Sequence, residues 1–285
     1  MSAAAPASAN VVEGEYAFTE ADFRKIAAMV HGDAGIHLPD AKATLVYSRL
    51  AKRLRALGLS SFRDYCELVA GADGLDERQK MLAALTTNVT RFFREPHHFD
   101  HLKDKVLPPL LDAARRGGKV RIWSAACSSG QEPFSIAMTI LALDPNAAER
   151  DIKVLATDID PNMVREGRGG TYAPHLLDGV PADYMKKFTT AERGGVRMSD
   201  EARALITFNE LNLIGDWPMK GKFDAIFCRN VAIYFEDDTQ ARLWSRFAPL
   251  IAPNGALYIG HSERIQGPAT PLFRPDGVTT YRKAA

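Results

Sequence analysis

The hydrophobic pattern of the chain changes near residue 119, and this change restricts the possible folds more than any other feature. Before that point the apolar residues follow helical spacing, as Phe23, Ile26 and Val30 do. After it, short apolar segments typical of strands alternate with helical segments, which is the order of a parallel sheet covered by helices. The sequence therefore predicts an α/β domain that follows a small all-α domain.

The predicted domain boundaries follow from helix signals and from breaks in periodicity. Thr19 with Asp22 forms a capping signal for the first helix, and Gly58 is expected to end the second. Small residues without periodicity precede the first helix and predict a disordered tail. We predict a tail at 1–15, a helical domain at 16–85, a linker with a connecting helix at 86–118, and an α/β domain at 119–285 with a small inserted β unit at about 170–206.

Within the α/β domain, strand-like segments recur at regular intervals. The strongest are Val120–Ala125, Val154–Asp158, Phe223–Cys228 and Ala256–Gly260, with a further strand near Thr207 and a closing hairpin formed by Phe273 and Val278–Tyr281 around a Pro-Asp-Gly turn. A Pro-Asn-Gly turn at 253–255 is expected to precede the fourth strand.

Composition excludes several classes of protein. Lys and Arg total 36 and Asp and Glu total 35, a balance that argues against a dedicated nucleic-acid binder. No apolar run is long enough for a transmembrane helix, and the first residues lack the regions of a signal peptide. Three cysteines without CxxC spacing indicate neither a disulfide framework nor a zinc site. We therefore expect a cytoplasmic protein.

Two strand ends carry the features of a nucleotide site. Small residues at 126–130 separate the first strand from a helix, so a ligand can approach the backbone and the free N–H groups of the helix start. An acid that ends the second strand can bind ribose hydroxyls; Asp158 fits this role, whereas Asp160 precedes Pro161 and fits a helix cap. A tight turn of any α/β protein is the alternative for the loop, and dinucleotide and S-adenosylmethionine (SAM) binding both stay open.

Four segments together resemble the CheR family of chemotaxis receptor methyltransferases. They read TTNVTRFFRE (residues 86–95, here the linker motif), WSAACSSGQEP (123–133), CRNVAIYF (228–235) and GHSE (260–263). The resemblance runs from about Thr19 to Tyr281. It implies a Rossmann-like SAM-dependent methyltransferase domain with an inserted β-subdomain. The implied reaction transfers a methyl group from SAM to glutamate side chains of chemoreceptors, leaving S-adenosylhomocysteine.

The resemblance also implies which residues form the site. The expected cofactor contacts are Asn88, Thr90, Arg94, Glu132, Asp158, Asn212, Leu213, Arg229 and Asn230. Arg94 and Tyr234 are the expected catalytic residues, which position the substrate carboxylate; Arg94 has the cofactor carboxylate as an alternative partner, and Tyr234 could instead be a buried packing aromatic. His97, His98 and His101 are interpreted as a helix face, and no metal is expected.

Residues 41–63 contain no acid and several cations, which predicts a docking face for a Glu-rich partner. The predicted partner-binding residues are Arg49, Lys52, Arg53 and Arg55. A solvated helix face is the alternative, and RNA is disfavoured because surface aromatics are not interleaved with the cations. The expected partners are the cytoplasmic helices of chemoreceptors, without nucleic acid or membrane insertion, and we expect a monomer.

One departure from the family concerns the inserted β unit. The segment from Phe188 to Met198 is a few residues shorter than the glycine-rich loop of members that dock on a receptor's C-terminal pentapeptide. The sequence therefore predicts an enzyme that does not depend on such a tether. Two alternatives stay open: a methyltransferase for another substrate, and a non-catalytic adaptor that binds a receptor.

Overall fold

A computed structural model describes residues 10–284, which divide into two compact units between Thr87 and Asn88. Residues 1–9 of the predicted tail lie outside the described residues. Asn10 forms an isolated antiparallel bridge with Thr19, the N-cap of the first helix.

The first unit contains the helices that the sequence predicts. In its described part these are α1 (Glu20–Ala34), α2 (Ala43–Leu57), α3 (Phe62–Ala70) and α4 (Leu75–Leu85). Thr19 and Asp22 form the predicted capping box, and Gly58 ends α2 with a φ of 67°. Ser61 caps α3 by accepting from the N–H of Asp64. The helix signals of this segment are therefore confirmed.

The second unit is built on a mixed sheet with the order β6-β2-β1-β7-β8-β10-β9 among the described strands. The strands are β1 (Val120–Ala125), β2 (Ile152–Asp158), β3 (Thr171–Tyr172), β4 (Thr189–Glu192), β5 (Gly195–Met198), β6 (Ile206–Glu210), β7 (Phe223–Cys228), β8 (Ile251–Ile259), β9 (Phe273–Gly277) and β10 (Thr280–Lys283). Strands β6, β2, β1, β7 and β8 run parallel, and chain order reverses between β1 and β7. Such a reversal is a topological switch point, beside which ligands bind.

The helices of this unit connect the strands and precede them. They are α5 (His97–His101), α6 (Leu107–Arg115), α7 (Gln131–Leu143), α8 (Pro161–Gly169), α9 (Ala182–Phe188), α10 (Asp200–Ala204) and α11 (Asp237–Leu250). A π-helical turn, Leu102–Val106, joins α5 to α6. The apolar strands β1 and β7 lie at the centre of the sheet and are almost wholly buried, as parallel strands covered on both faces must be.

The inserted unit is a second sheet with the order β3-β5-β4. Its hairpin, β4 to β5, turns through Arg193 and Gly194, where Gly194 takes a φ of 102° that favours glycine. The closing hairpin predicted near the end of the chain is also present, because β9 pairs with β10 and β10 with β8 in antiparallel fashion. The predicted fold class is thus confirmed.

Strand β8 begins earlier than predicted. Phe223 pairs with Ile251 and Ala225 with Ala256, so residues 252–255 loop out against a single residue of β7. Asn254, inside this irregularity, has a φ of 60°. The Pro-Asn-Gly sequence therefore makes a bulge within the strand instead of a turn before it. None of the helices in residues 10–284 is long and apolar enough to cross a bilayer.

Candidate active site

The loop between β1 and α7 forms a cradle of small residues. Ala126, Ser128 and Gly130 have φ values of 59°, 50° and 97°, and a Cβ on Gly130 would come within 2.7 Å of the Tyr172 hydroxyl. Among the described residues no side chain caps the first turn of α7, so the N–H groups of Gln131 and Glu132 are available to a ligand. This geometry fits an anionic or polar ligand held close to the backbone.

Asp158 ends β2 beside this loop, as the sequence predicts, and is 5% exposed. Its carboxylate accepts hydrogen bonds from the N–H groups of Ser128 at 2.7 Å and Asp160 at 3.0 Å. Burial raises the pKa of Asp158, and these two bonds counteract that effect. A carboxylate has about four acceptor positions, so it can hold the loop and still accept hydroxyl groups of a ribose.

Asn88, at the start of the second unit, joins the linker motif to the same loop. Its side-chain amide donates to Asp160 at 3.0 Å, and its main-chain carbonyl oxygen accepts from the Ser128 hydroxyl at 3.0 Å. Asp160 also accepts from the N–H of Asn162, so its predicted role as the cap of α8 is confirmed. The structure therefore brings Asn88 and Asp158 together through Ser128.

A buried ion pair joins the strand end of β7 to the first turn of α7. Arg229 donates to Glu132 at 2.9 Å, and Glu132 also accepts from the Ser124 hydroxyl at 2.7 Å. Burial raises the pKa of Glu132, while Arg229 and Ser124 counteract the shift. Arg229 further donates to the main-chain carbonyl of Arg94. One guanidinium thus holds together three of the predicted site segments.

The two predicted catalytic residues have different surroundings. The Arg94 side chain is half-buried and donates to the Val89 carbonyl at 3.1 Å, within the linker motif. Tyr234 ends a 3₁₀ turn, Ala232–Tyr234, and is half-buried. The alternative of a packing aromatic therefore stays open for Tyr234. Their catalytic roles stay predictions.

Asn212 and Leu213 lie on the segment after β6, where an adenine contact is predicted. The Asn212 side chain accepts from the N–H of Ile214 at 3.0 Å. Arg246 of α11 binds the segment from outside, since it donates to the carbonyls of Leu213 and Ile214 at 2.8 and 3.2 Å and lies 3.9 Å from the ring centre of Trp217. Thr90 lines a different space, a cavity of about 740 Å³ beside the inserted unit.

Sequence reasoning missed several residues that organise this site, among them Ser124, Ser128, Glu95, Arg246 and Glu263. Glu95 adjoins Arg94 in the linker motif, and Arg229 lies 3.5 Å from it. Burial raises the pKa of Glu95, but Arg229, His261 and His98 outweigh it and bring that pKa below its ordinary value. Glu95 and Glu263 belong to quoted motifs, so the signal for both was present.

One cluster of possible metal ligands lies beside this site. Ligand atoms of Glu95, His97 and His98 all lie within 4.8 Å of one another. The Arg229 guanidinium, 3.5 Å from the same Glu95 carboxylate, would repel a cation bound to that carboxylate. The expectation of no metal stays a prediction, which this repulsion favours.

The predicted partner-binding residues of the first unit are largely engaged within that unit. Arg49 donates to the carbonyls of Ala84 and Thr86 at the end of α4. Arg53 makes two hydrogen bonds to the nearly buried Glu77, at 2.8 and 2.6 Å. Lys52 and Arg55 are exposed, and Arg55 pairs with the exposed Glu15. An exposed pair contributes little to stability, so this side chain can be recruited by a partner.

Fold and site together are those of a Rossmann-like methyltransferase, with a small-residue loop after β1 and an acid at the end of β2. Comparison of the sequence with protein-family models agrees. Residues 88–281 match the family model "CheR methyltransferase, SAM binding domain", and residues 21–86 match "CheR methyltransferase, all-alpha domain". The chain belongs to the CheR methyltransferase family.

Curated relatives match over most of both chains. A probable chemotaxis protein methyltransferase of Rhizobium etli is 57% identical over 258 residues, which cover 89% of this chain and 96% of the relative. Chemotaxis protein methyltransferase 2 of Pseudomonas aeruginosa is 41% identical and is covered, like this chain, to 95%. The chemotaxis protein methyltransferase of Escherichia coli is 42% identical, covering 87% of this chain and 85% of the relative.

Proposed function

We propose that this protein is a cytoplasmic protein-glutamate O-methyltransferase that forms methyl esters on glutamate side chains of chemoreceptors. The observation that carries the proposal is the intact site, in which Arg229 joins Glu132 to the backbone of the linker motif at Arg94. A non-catalytic adaptor would not require this buried arrangement. The names of the relatives support the choice of chemoreceptors as substrates.

The proposed reaction needs neither a general acid nor a general base. SAM carries the methyl group on a positively charged sulfur. This sulfur is the leaving group and becomes the neutral thioether of S-adenosylhomocysteine. A substrate glutamate has an unperturbed pKa of about 4.3, so its carboxylate is already ionised at neutral pH. One carboxylate oxygen forms a bond to the methyl carbon while the carbon–sulfur bond breaks, and no proton moves. The residues of the chain therefore act by alignment and by excluding water.

Arg94 and Tyr234 are proposed to position the substrate carboxylate. A guanidinium can donate two hydrogen bonds to a carboxylate, and a phenol can donate one more. The Arg94 guanidinium donates one hydrogen bond, to the Val89 carbonyl at 3.1 Å, so most of its five donors stay available. Asp158 is proposed to hold the ribose, and Asn212 with Leu213 to contact the adenine.

The docking face is proposed to depend on Lys52 and Arg55 more than on Arg49 and Arg53. Charge reversal at Arg53 would place two carboxylates against each other beside the nearly buried Glu77, so it would test folding as well as docking. The Lys52→Glu/Arg55→Glu variant avoids this problem. We expect a raised KM for receptor with unchanged SAM affinity.

A matched control is available on α1 of the same unit. Arg24→Glu/Lys25→Glu makes the same change of charge at two exposed positions. Equal KM values for the two double variants would remove the docking role from Lys52 and Arg55.

Independence from a receptor pentapeptide is also proposed. The β4–β5 hairpin of the inserted unit turns through two residues, Arg193 and Gly194, which supports the absence of a long docking loop. Receptor fragments with and without a C-terminal pentapeptide should therefore be methylated with the same KM. A KM that rises when the pentapeptide is removed would contradict this part of the proposal.

The experiment that tests the function uses methyl-labelled SAM and a Glu-rich cytoplasmic receptor fragment. Label should appear on the fragment, escape as volatile methanol in mild base, and disappear when the receptor glutamates are changed to alanine. Bound SAM without label transfer would contradict the substrate, and an absence of SAM binding would favour the adaptor.

A further inference from the structure

The GHSE segment after β8 is a part of the sequence resemblance to which no role has been assigned. Its last residue, Glu263, is 1% exposed. The Glu263 carboxylate accepts from the N–H groups of Asn230, Val231 and Ala232 at 3.1, 2.9 and 2.7 Å, and also from that of Gly260. Four main-chain donors thus converge on one buried acceptor, which is as many as a carboxylate can serve.

Three of these donors belong to the turn that follows β7 and carries the site. In this turn Asn230 has a φ of 58°, in the left-handed region that asparagine adopts more readily than most other non-glycine residues. Tyr234 lies at the end of the 3₁₀ turn that begins with Ala232. The carboxylate therefore fixes the backbone between two residues of the predicted site.

Other residues of the same segment complete the cradle around Asn230. A Cβ on Gly260 would lie 2.4 Å from the Asn230 side-chain nitrogen, so the approach requires glycine. His261 lies against Glu95, with 3.3 Å between its Nδ1 and the Glu95 carboxylate. The Glu95 carboxylate accepts from the Asn230 side-chain amide at 3.5 Å. The segment thus contacts Asn230 through Gly260 and Glu263, while His261 contacts Glu95, the partner of the Asn230 amide.

We infer that Glu263 is a positioning residue, which presets the turn from Asn230 to Tyr234 for SAM and for the substrate carboxylate. The effect of Glu263 on the substrate carboxylate rests on the proposed function, whereas its effect on SAM binding rests on the membership of the CheR family. The alternative is that Glu263 only stabilises the fold, as any buried and bonded carboxylate does.

The same strand offers a matched control for this alternative. Asp224, at the start of β7, is a half-buried carboxylate that accepts from the N–H of Arg121 at 2.8 Å. It lies at the opposite end of β7 from the turn. Asp224→Asn should therefore reduce stability without changing the site.

The experiment compares Glu263→Gln, Glu263→Asp and Asp224→Asn in the full chain. An amide side chain keeps one acceptor oxygen with two lone pairs and turns N–H donors toward the other main-chain donors, so Glu263→Gln can serve at most two of the four N–H groups. Amide hydrogen exchange of Asn230, Val231 and Ala232 is followed by NMR, and SAM affinity by calorimetry. For Glu263→Gln we expect faster exchange at these three amides and an affinity about 10- to 100-fold lower, the range for losing bonds to a charged acceptor.

Glu263→Asp should restore part of the exchange protection and part of the affinity, and it provides a second reading if the glutamine variant is poorly folded. Asp224→Asn should leave both quantities at wild-type values. Because the same turn ends at Tyr234, we also expect the kcat of Glu263→Gln at saturating SAM to fall.

Two results would overturn the inference. Unchanged exchange in Glu263→Gln would show that the carboxylate does not hold the turn. Faster exchange with SAM affinity and kcat equal to those of Asp224→Asn would leave Glu263 a purely structural role. Failure of the proposed function is recognised separately, because wild-type protein would then bind SAM without forming glutamyl esters.

Discussion

The buried pair between Arg229 and Glu132 allows a quantitative test of the site. Arg229→Met keeps a similar apolar stem but removes the charge, which leaves the Glu132 carboxylate with the Ser124 hydroxyl as its remaining partner. Breaking a buried pair by removing one partner costs about 3–5 kcal/mol. The lost bond to the Arg94 carbonyl adds about 1 kcal/mol.

The pH dependence of this cost follows from the fate of Glu132. Without Arg229, burial raises the Glu132 pKa further above its unfolded value, so the folded variant takes up a proton. Protonation at about pH 7.5 costs about 4 kcal/mol, from about 1.36 kcal/mol per unit above a pKa of about 4.3, and this sets a ceiling. At about pH 5.5 the ceiling falls to about 1.6 kcal/mol. A raised folded pKa means that stability is lost as pH rises, so the defect of the variant is larger at the higher pH.

Tryptophan fluorescence during denaturant unfolding measures the relevant unit, because Trp123, Trp217 and Trp244 all lie in residues 88–285. We expect a loss of about 4–5 kcal/mol near pH 7.5 and about 2–3 kcal/mol near pH 5.5. The Glu132→Gln/Arg229→Met variant removes the stranded carboxylate and should recover at least about half of the loss. A loss below about 1 kcal/mol at the higher pH, or no recovery in the double variant, would refute the reasoning.

Three further predictions concern other residues of the second unit. Arg246→Met should lower SAM affinity about tenfold in calorimetry, because Arg246 binds the Leu213 carbonyl and so holds the segment that is predicted to contact the adenine. Unchanged affinity would contradict this role. Burial lowers the pKa of His98 to about 3, so below about pH 6.5 the unfolded chain takes up a proton that the folded protein does not, and stability is lost as pH falls. His98→Gln should therefore make the free energy of unfolding less dependent on pH between about pH 6.5 and 4. An unaltered pH dependence would contradict this prediction. Arg94→Ala and Tyr234→Phe should each reduce kcat more than they change the unfolding midpoint, and wild-type rates in both would remove their roles.

Local signals predicted the fold well. The capping box at Thr19 and the helix stop at Gly58 are decided by residues within one turn of the helix end, so the sequence shows them directly. The start of β8 was predicted wrongly because Pro-Asn-Gly usually marks a turn. Here its pairing with β7 on both sides converts the turn into a bulge, and that pairing is a long-range property.

The site was predicted through motifs, and its limits are those of motif reasoning. Asp158 was assigned to ribose binding because it ends a strand. Its hydrogen bond to the Ser128 N–H depends on the pairing of β2 with β1, which the sequence does not show. Arg53 was assigned to a partner because its segment lacks acids, yet Glu77 of α4 lies against it. Contacts between elements distant in sequence leave no local pattern, so side-chain type alone cannot separate an internal partner from an external one.

Calorimetric titration of SAM tests the central claim most directly, since every proposed role depends on a SAM site at the carboxyl ends of β1, β2 and β7. The wild-type chain should bind one SAM, and Asp158→Ala should weaken binding at least about tenfold while Asp224→Asn leaves it unchanged. Undiminished binding by Asp158→Ala would contradict the proposed location of the site, and an absence of binding by the wild type would contradict the account as a whole.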